Sequence, residues 1–340
     1  MTASTSHTQT HTASGTQQLV LLGAGHAHLQ VLEHLAAHPL AGVAVTLINP
    51  LPRQIVASMV PGFVAGHYPL EDCAIPLGPL VHRSAIRWLQ RSVTAVNAQE
   101  QTLHLDDGNT VAFDWLSVNT DPVQNRQQIE SDLPGAREHA LFIRAADALT
   151  ALWPRVVEMG ASRPLRIAMI GTGAGSLEMA LAVRHRLPHC AVTLVCGAQQ
   201  PGAHHPHAVQ QRLQAILKKR RITVLQDVAV SLRADSVQLG CGADLACDVP
   251  MLATRGQAPP WLANSGMALD DHGFLAVDVY QRSTSHSRVF AAVDAGTRLD
   301  RTLARSPLHA TRAGTALFHN LAAVTAGHAL KPHQPLQASL

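Results

Sequence analysis

One unit occurs twice in this chain and constrains its fold more than any other feature. A short apolar run, Leu19-Val20-Leu21-Leu22, stops at Gly23. The turn Gly23-Ala24-Gly25-His26-Ala27-His28 follows, and 26–37 then carries Leu29, Leu32, Leu35 and Ala36 near helical spacing. A second apolar run, 43–48, closes the unit. The pattern returns at 165–170, which stops at Gly171. Gly171-Thr172-Gly173-Ala174-Gly175-Ser176-Leu177-Glu178 leads into a predicted helix over 176–186, ended by Pro188, and a predicted strand over 191–196. Continuous apolar runs of this length fit strands buried on both faces of a parallel sheet. Strand, helix and strand in so short a span form a βαβ unit.

The glycines say what such a unit can hold. Gly23 makes the tight turn, and Gly25 lets the backbone approach a pyrophosphate. The helix behind them offers N–H donors and the positive end of its dipole to that anion. Ala24, His26 and Ala27 belong to the same cradle. His28 stands where a third glycine normally allows the helix close to its strand, so its ring must point aside or widen the contact. The acidic residue that usually reads a ribose hydroxyl is missing after the second strand. Asn49 stands there, readable equally as a neutral ribose partner or as a turn former before Pro50. In the second copy Gly171 and Gly173 repeat the turn. Ser176 is small enough for the third position, and Glu178 suits the first helical turn. The strand end at Cys196-Gly197 also lacks a carboxylate, so either NADH or NADPH is admitted. Two copies mean two nucleotide-sized sites, or one site duplicated and decayed.

Around these units the chain reads more loosely. Residues 1–17 are Thr, Ser, His and Gln and read as a disordered tail, with order beginning at Gln18 or Leu19. Segments 92–97, 102–105 and 110–113 alternate around Asp107-Gly108, as a hairpin region would. A similar meander is expected near 224–232 and 236–239. Residues 120–138, with Pro122 and Pro134, read as a linker. A late strand over 288–292 and a helix over 305–325 complete the expectation.

Composition excludes several classes. Charged residues are 14% of the 340, against a usual level of about 25%. Lys218-Lys219-Arg220-Arg221 is the one basic run, and it reads as a helix C-terminus. Nucleic acid is therefore not an expected partner. Five cysteines form no CxxC pair and build no disulfide framework. The local histidine groups lack metal-site spacing and read as solvated loops, so no metal is expected. With no run of about 18 apolar residues and no leader at the N-terminus, a cytoplasmic protein without an integral membrane segment is expected.

These motifs, with Met59-Val-Pro-Gly-Phe-Val-Ala-Gly-His67-Tyr68, Gly273-Phe-Leu-Ala-Val-Asp278, Phe290-Ala-Ala-Val-Asp294, Arg312-x-Gly314 and Asn320-Leu321, resemble a known family. The chain resembles the two-dinucleotide-domain flavoproteins of the pyridine nucleotide-disulfide oxidoreductase superfamily. The branch is the one near type II NADH dehydrogenases that is found associated with selenide, water dikinase. The resemblance spans about 18–335. It implies an α/β fold with two Rossmann-like dinucleotide-binding domains, each with a small β-meander. The FAD domain would comprise 18–135 and 275–340, and the NAD(P)H domain 136–274. It implies hydride transfer from nicotinamide to flavin, then electron delivery to a quinone or another small acceptor. No acid–base side chain is required for the hydride step, so no catalytic residue is assigned. Asp294 would hold the ribityl or pyrophosphate side of FAD, and Arg53 would contact the adenosine half. His67-Tyr68 reads equally as a flavin neighbour or as packing.

Four places depart from the family pattern. Val293-Asp294 stands for Gly-Asp, Ala253-Thr254-Arg255 for Ala-Thr-Gly, and Thr120-Asp121 for Thr-Gly. Gln54-Ile-Val-Ala-Ser-Met59 lacks a glycine before the Met. Glycine at such places serves positive φ or close approach, and a β-branched residue forced into that geometry costs roughly 1–3 kcal/mol. The alternative expectation is thus a non-catalytic relative whose FAD site is weakened or lost.

Overall fold

The computed structural model describes residues 15–203, 205–292, 294–301, 303 and 307–335. Each glycine unit lies at the centre of its own five-stranded parallel sheet. In the first sheet the spatial order is Val289–Ala291, Trp115–Val118, Gln17–Leu22, Val43–Ile48 and Arg87–Leu89. In the second it is Leu141–Phe142, Val249–Leu252, Arg166–Ile170, Ala191–Val195 and Thr223–Leu225. The register is in phase at both turns: Leu22 faces Ile48 and Ile170 faces Val195. Leu19, Leu21, Leu47, Met169 and Leu194 are fully buried, which is why these strands read as unbroken apolar runs.

The two halves share more than the sheet. A three-stranded antiparallel meander (Val93–Asn97, Thr102–Leu105, Thr110–Ala112) precedes Trp115–Val118. A second one (Ala229–Leu232, Ser236–Leu239, Asp244–Ala246) precedes Val249–Leu252. Each strand that follows a meander pairs beside the glycine strand. The fold is α/β with two Rossmann-like units, as the sequence predicts.

Several expectations need correction. Order begins earlier than predicted, because Gln17 already pairs with Val43; residues 1–14 of the expected tail lie outside the described residues. The stretch read as a linker holds helices Arg126–Asp132 and Ala136–His139. Asn125 caps the first of them by accepting from Gln127 N–H and Gln128 N–H. Asn at an N-cap with Ile129 and Leu133 one turn apart is a readable helix start, and the prolines outweighed it. Residues 224 and 225, expected in the second meander, belong instead to strand Thr223–Leu225 at the edge of the parallel sheet.

The halves are joined by a segment that periodicity did not single out. Helix Val60–Ala65 follows the first unit in sequence, yet Ile55, Val60, Val64 and Ala65 pack in the core around the second sheet. Trp153, on helix Ala146–Ser162, donates its indole N–H to Val64 O at 3.1 Å. Arg53 pairs with Asp147 at the start of the same helix. The C-terminal helix Pro307–Thr325 lies across helix His26–Ala37. At Gly314 a Cβ would run into Ala27 O, so glycine there serves close helix approach rather than a turn. Among the described residues no helix is long and apolar enough to cross a membrane.

Candidate functional site

The first glycine loop is filled by the protein itself. Gly23 has φ +85°, and a Cβ there would lie 2.5 Å from Asn119 O. A Cβ on Gly25 would lie 2.6 Å from Asn119 Oδ1. Asn119 immediately follows strand Trp115–Val118 and is completely buried. Its Oδ1 accepts from Ala27 N–H and His28 N–H, each at 3.0 Å, and its carbonyl accepts from Gly25 N–H at 3.0 Å. Its amide Nδ2 reaches toward Asp294 Oδ2 at 3.5 Å. Sequence reasoning missed Asn119 because the chain returns to the loop only after some 90 residues, on a strand the periodicity did not reveal.

His28, at the third-glycine position, turns inward. Its Nδ1 lies 2.7 Å from Gly23 O and its Nε2 lies 2.8 Å from Ser117 Oγ. A carbonyl only accepts, so Nδ1 carries the proton and Nε2 accepts from the Ser117 hydroxyl. Complete burial pushes the imidazole pKa down to about 4 and keeps it neutral. The ring replaces the close contact of a glycine with two hydrogen bonds that pin helix to sheet.

The mouth of this loop is polar. His26 begins the helix; burial lowers its pKa, and the Asp121 carboxylate opposes that shift. Asp121 accepts from Gln54 Nε2 at 2.7 Å. His26 Nε2 and Thr120 Oγ1 are buried and have no partner. Buried polar atoms without partners are costly, and a bound phosphate-bearing group supplies what they lack. The loop therefore fits the pyrophosphate of a dinucleotide.

The second loop presents the same backbone with its face open. Gly171 abuts Ala253 as Gly23 abuts Asn119. Around Gly173 and Gly175, however, an added Cβ meets nothing within 4 Å. Residues 172–175 are exposed, whereas Gly23, Ala24 and Gly25 are buried. Ser176 is buried and its hydroxyl donates to Gly173 O at 2.6 Å, so it closes the turn locally. Glu178 is exposed but lies past the first turn, because helix Ala174–Arg186 begins two residues earlier than predicted and has no acidic residue in its first turn. A shallow pocket lies over this loop, lined by Thr172, Gly173, Leu177, Gln199, Gln200 and His205. It offers neutral amides where a carboxylate or a guanidinium usually sits.

The other predicted residues fall in different places. Asn49 turns its amide to Leu51 O at 2.8 Å, the geometry of a turn former. Arg53 is engaged with Asp147 at 3.2 Å. Asp294 lies at the first loop beside Asn119. His67 packs against His185 with ring centroids 4.8 Å apart and planes tilted by 48°, on the contact between the halves. Asp121, Arg255 and the 54–59 segment all have negative φ, so the missing glycines there leave no backbone strain. Val293 lies outside the described residues.

A cavity of about 320 Å³ opens beside Gly296, lined among others by Arg255, Asp270, Gln281, Arg298 and His333. Sequence reasoning did not find it. Buried Arg298 is held by both oxygens of Asp300, at 2.8 and 2.6 Å, and donates to His333 O at 2.6 Å. Burial and then Arg298 push the His333 pKa down to about 4. Gln281 Oε1 and His333 Nδ1 are buried without partners. The five cysteines are all free and only Cys241 is exposed; burial raises the Cys247 pKa to about 11. Among the described residues no group of three potential metal ligands occurs.

Comparison with known proteins agrees with this architecture. The sulfide:quinone oxidoreductase of Aquifex aeolicus superposes with a TM-score of 0.74 at 16% identity, covering 92% of this chain and 78% of that one. A ferredoxin reductase of Rhodopseudomonas palustris gives 0.78 at 18%, with 95% and 79% covered. NDH2 of Plasmodium falciparum gives 0.70 at 14%, with 83% and 65% covered. At these identities the likeness is one of fold. The family model described as pyridine nucleotide-disulphide oxidoreductase matches residues 17–315, nearly the whole described chain. This chain belongs to the pyridine nucleotide-disulphide oxidoreductase family, whose cofactors are those the sequence predicts, FAD and NADH or NADPH.

Proposed function

We propose that the protein is an FAD-dependent NAD(P)H oxidoreductase that delivers electrons to a quinone or another small acceptor. The observation that carries this is the pair of glycine loops, each at the C-terminal end of the central strand of a like-ordered parallel sheet. Ligands of open α/β sheets bind at that edge. Bound there, FAD would supply the hydride acceptor and the onward path for electrons.

The chain's residues bind and orient. Gly23, Ala24, Gly25, His26 and Ala27, with Asp294, hold the FAD side, in a domain of 18–135 and 275–340. Gly171, Gly173 and Glu178 hold the nicotinamide nucleotide, with buried Ser176 closing their turn, in a domain of 136–274. His28 and Asn49 support the first site by fixing its helix and its turn. Arg53 supports it by holding the adjoining segment to Asp147. The cavity between Arg255 and His333 has room for a small acceptor.

The test is a visible spectrum of the purified protein under anaerobic conditions, before and after NADH or NADPH. A flavin spectrum that bleaches supports this reading and identifies the donor. A protein that neither carries nor takes up FAD supports the alternative, a non-catalytic relative with a lost flavin site.

A further inference from the structure

Among the N–H groups at the start of helix His26–Ala37, those of Gly25, Ala27 and His28 are already bonded to Asn119. The first N–H groups of a helix have no intrahelical partner, and a Rossmann helix commonly offers them to phosphate. Here one buried side chain and its own carbonyl take three. The N–H of His26 is the helix-end donor left outside this set. The cap is an amide, not a carboxylate. That matters because an acidic cap neutralises the positive end of the helix dipole, whereas an amide satisfies the N–H groups and leaves the field in place. The other end of the same amide approaches Asp294 Oδ2 at 3.5 Å, so a donor, not a second negative charge, faces that carboxylate.

We propose that Asn119 is a positioning residue for the dinucleotide at the first loop. As a neutral internal cap it seals the inner helix amides, reserves the helix field and the His26 N–H for the pyrophosphate, and orients the Asp294 carboxylate. Its neutrality, beyond its shape, is what the site requires. The same atoms explain why glycine is needed at 25: Asn119 Oδ1 occupies the space of a Cβ. The inference rests on FAD being the ligand of this loop.

The decisive variant is Asn119→Asp, which keeps the size and the acceptor atom and adds a charge. The expected result is a folded chain with a lower unfolding temperature, because a buried carboxylate then faces Asp294, and with FAD affinity at least tenfold weaker at a temperature where parent and variant are both folded, read by flavin binding to the full chain. Equal FAD affinity in parent and variant overturns the inference while the FAD reading stands. A parent that binds no FAD overturns both. Should Asn119→Asp fail to fold, hydrogen exchange on the parent decides. FAD should slow exchange at the His26 amide and leave Ala27 and His28 unchanged. New protection at Ala27 and His28 means that the ligand displaces Asn119, and the inference falls.

Discussion

At the first loop a Cβ on Gly25 would stand 2.6 Å from a buried asparagine, while at the second a Cβ on Gly173 would meet nothing within 4 Å. The strand, turn and helix are the same in both, and so is the sheet order. A Gly-x-Gly turn therefore carries two separate requirements. One is internal: the first glycine makes room for the neighbouring strand end, Asn119 in one copy and Ala253 in the other. The second glycine makes room for whatever lies over the helix. In the first copy that space is shared with Asn119, and in the second it is free for a ligand. A motif match by itself does not separate these cases.

Substitutions at the two loops should part accordingly. Gly25→Val forces methyl groups against Asn119 and the inner cap, and should cost about 3 kcal/mol of stability together with flavin binding. Thermal unfolding and the flavin spectrum measure both. The motif alone predicts loss of flavin with an intact fold, and an unchanged unfolding temperature would restore that simpler view.

The acid limb of the stability curve comes next. His28 is neutral in the folded protein, with its pKa lowered from 6.5 to about 4. The unfolded chain therefore binds the proton more tightly. Stability is fully present above pH 6.5 and falls as pH drops toward 4, by about 3 kcal/mol for the buried ring. His333 acts in the same direction. Denaturant titrations between pH 7 and 4 should show the loss, and His28→Leu should flatten it while lowering stability at pH 7. A limb as steep in the variant as in the parent would assign the effect elsewhere.

Two smaller effects sharpen the contrast. Arg53→Ala removes a partly exposed ion pair between the segment after the first unit and helix Ala146–Ser162, and should cost about 0.5 kcal/mol. A much larger loss would mean that this pair holds the halves together. Gly173→Ala should leave stability within about 0.5 kcal/mol and raise KM for the nicotinamide nucleotide. Destabilisation instead would show that the second loop is as tightly filled as the first.

Local pattern was legible where contacts are local. Helix His26–Ala37 and strands Val43–Ile48 and Thr102–Leu105 have the predicted bounds, because burial on a helix face or a strand writes its period directly into the residues. Strand Trp115–Val118 was not legible. Its polar residue Ser117 is buried beside His28, so it lacks the unbroken apolar run of its neighbours. The docking of helix Val60–Ala65 on the second core was also invisible, since nothing in six residues says which of two cores will cover them.

The sequence by itself determined two βαβ units and their glycine turns, which follow from spacing along short stretches of chain, and it carried the motifs by which the chain resembles its family. Only the tertiary structure decided that His28 points inward, that Asn119 caps the first helix, and that the first loop is filled while the second is open. Each depends on a partner brought from a distant strand, and hydrogen-bond geometry between distant residues leaves no period in the sequence.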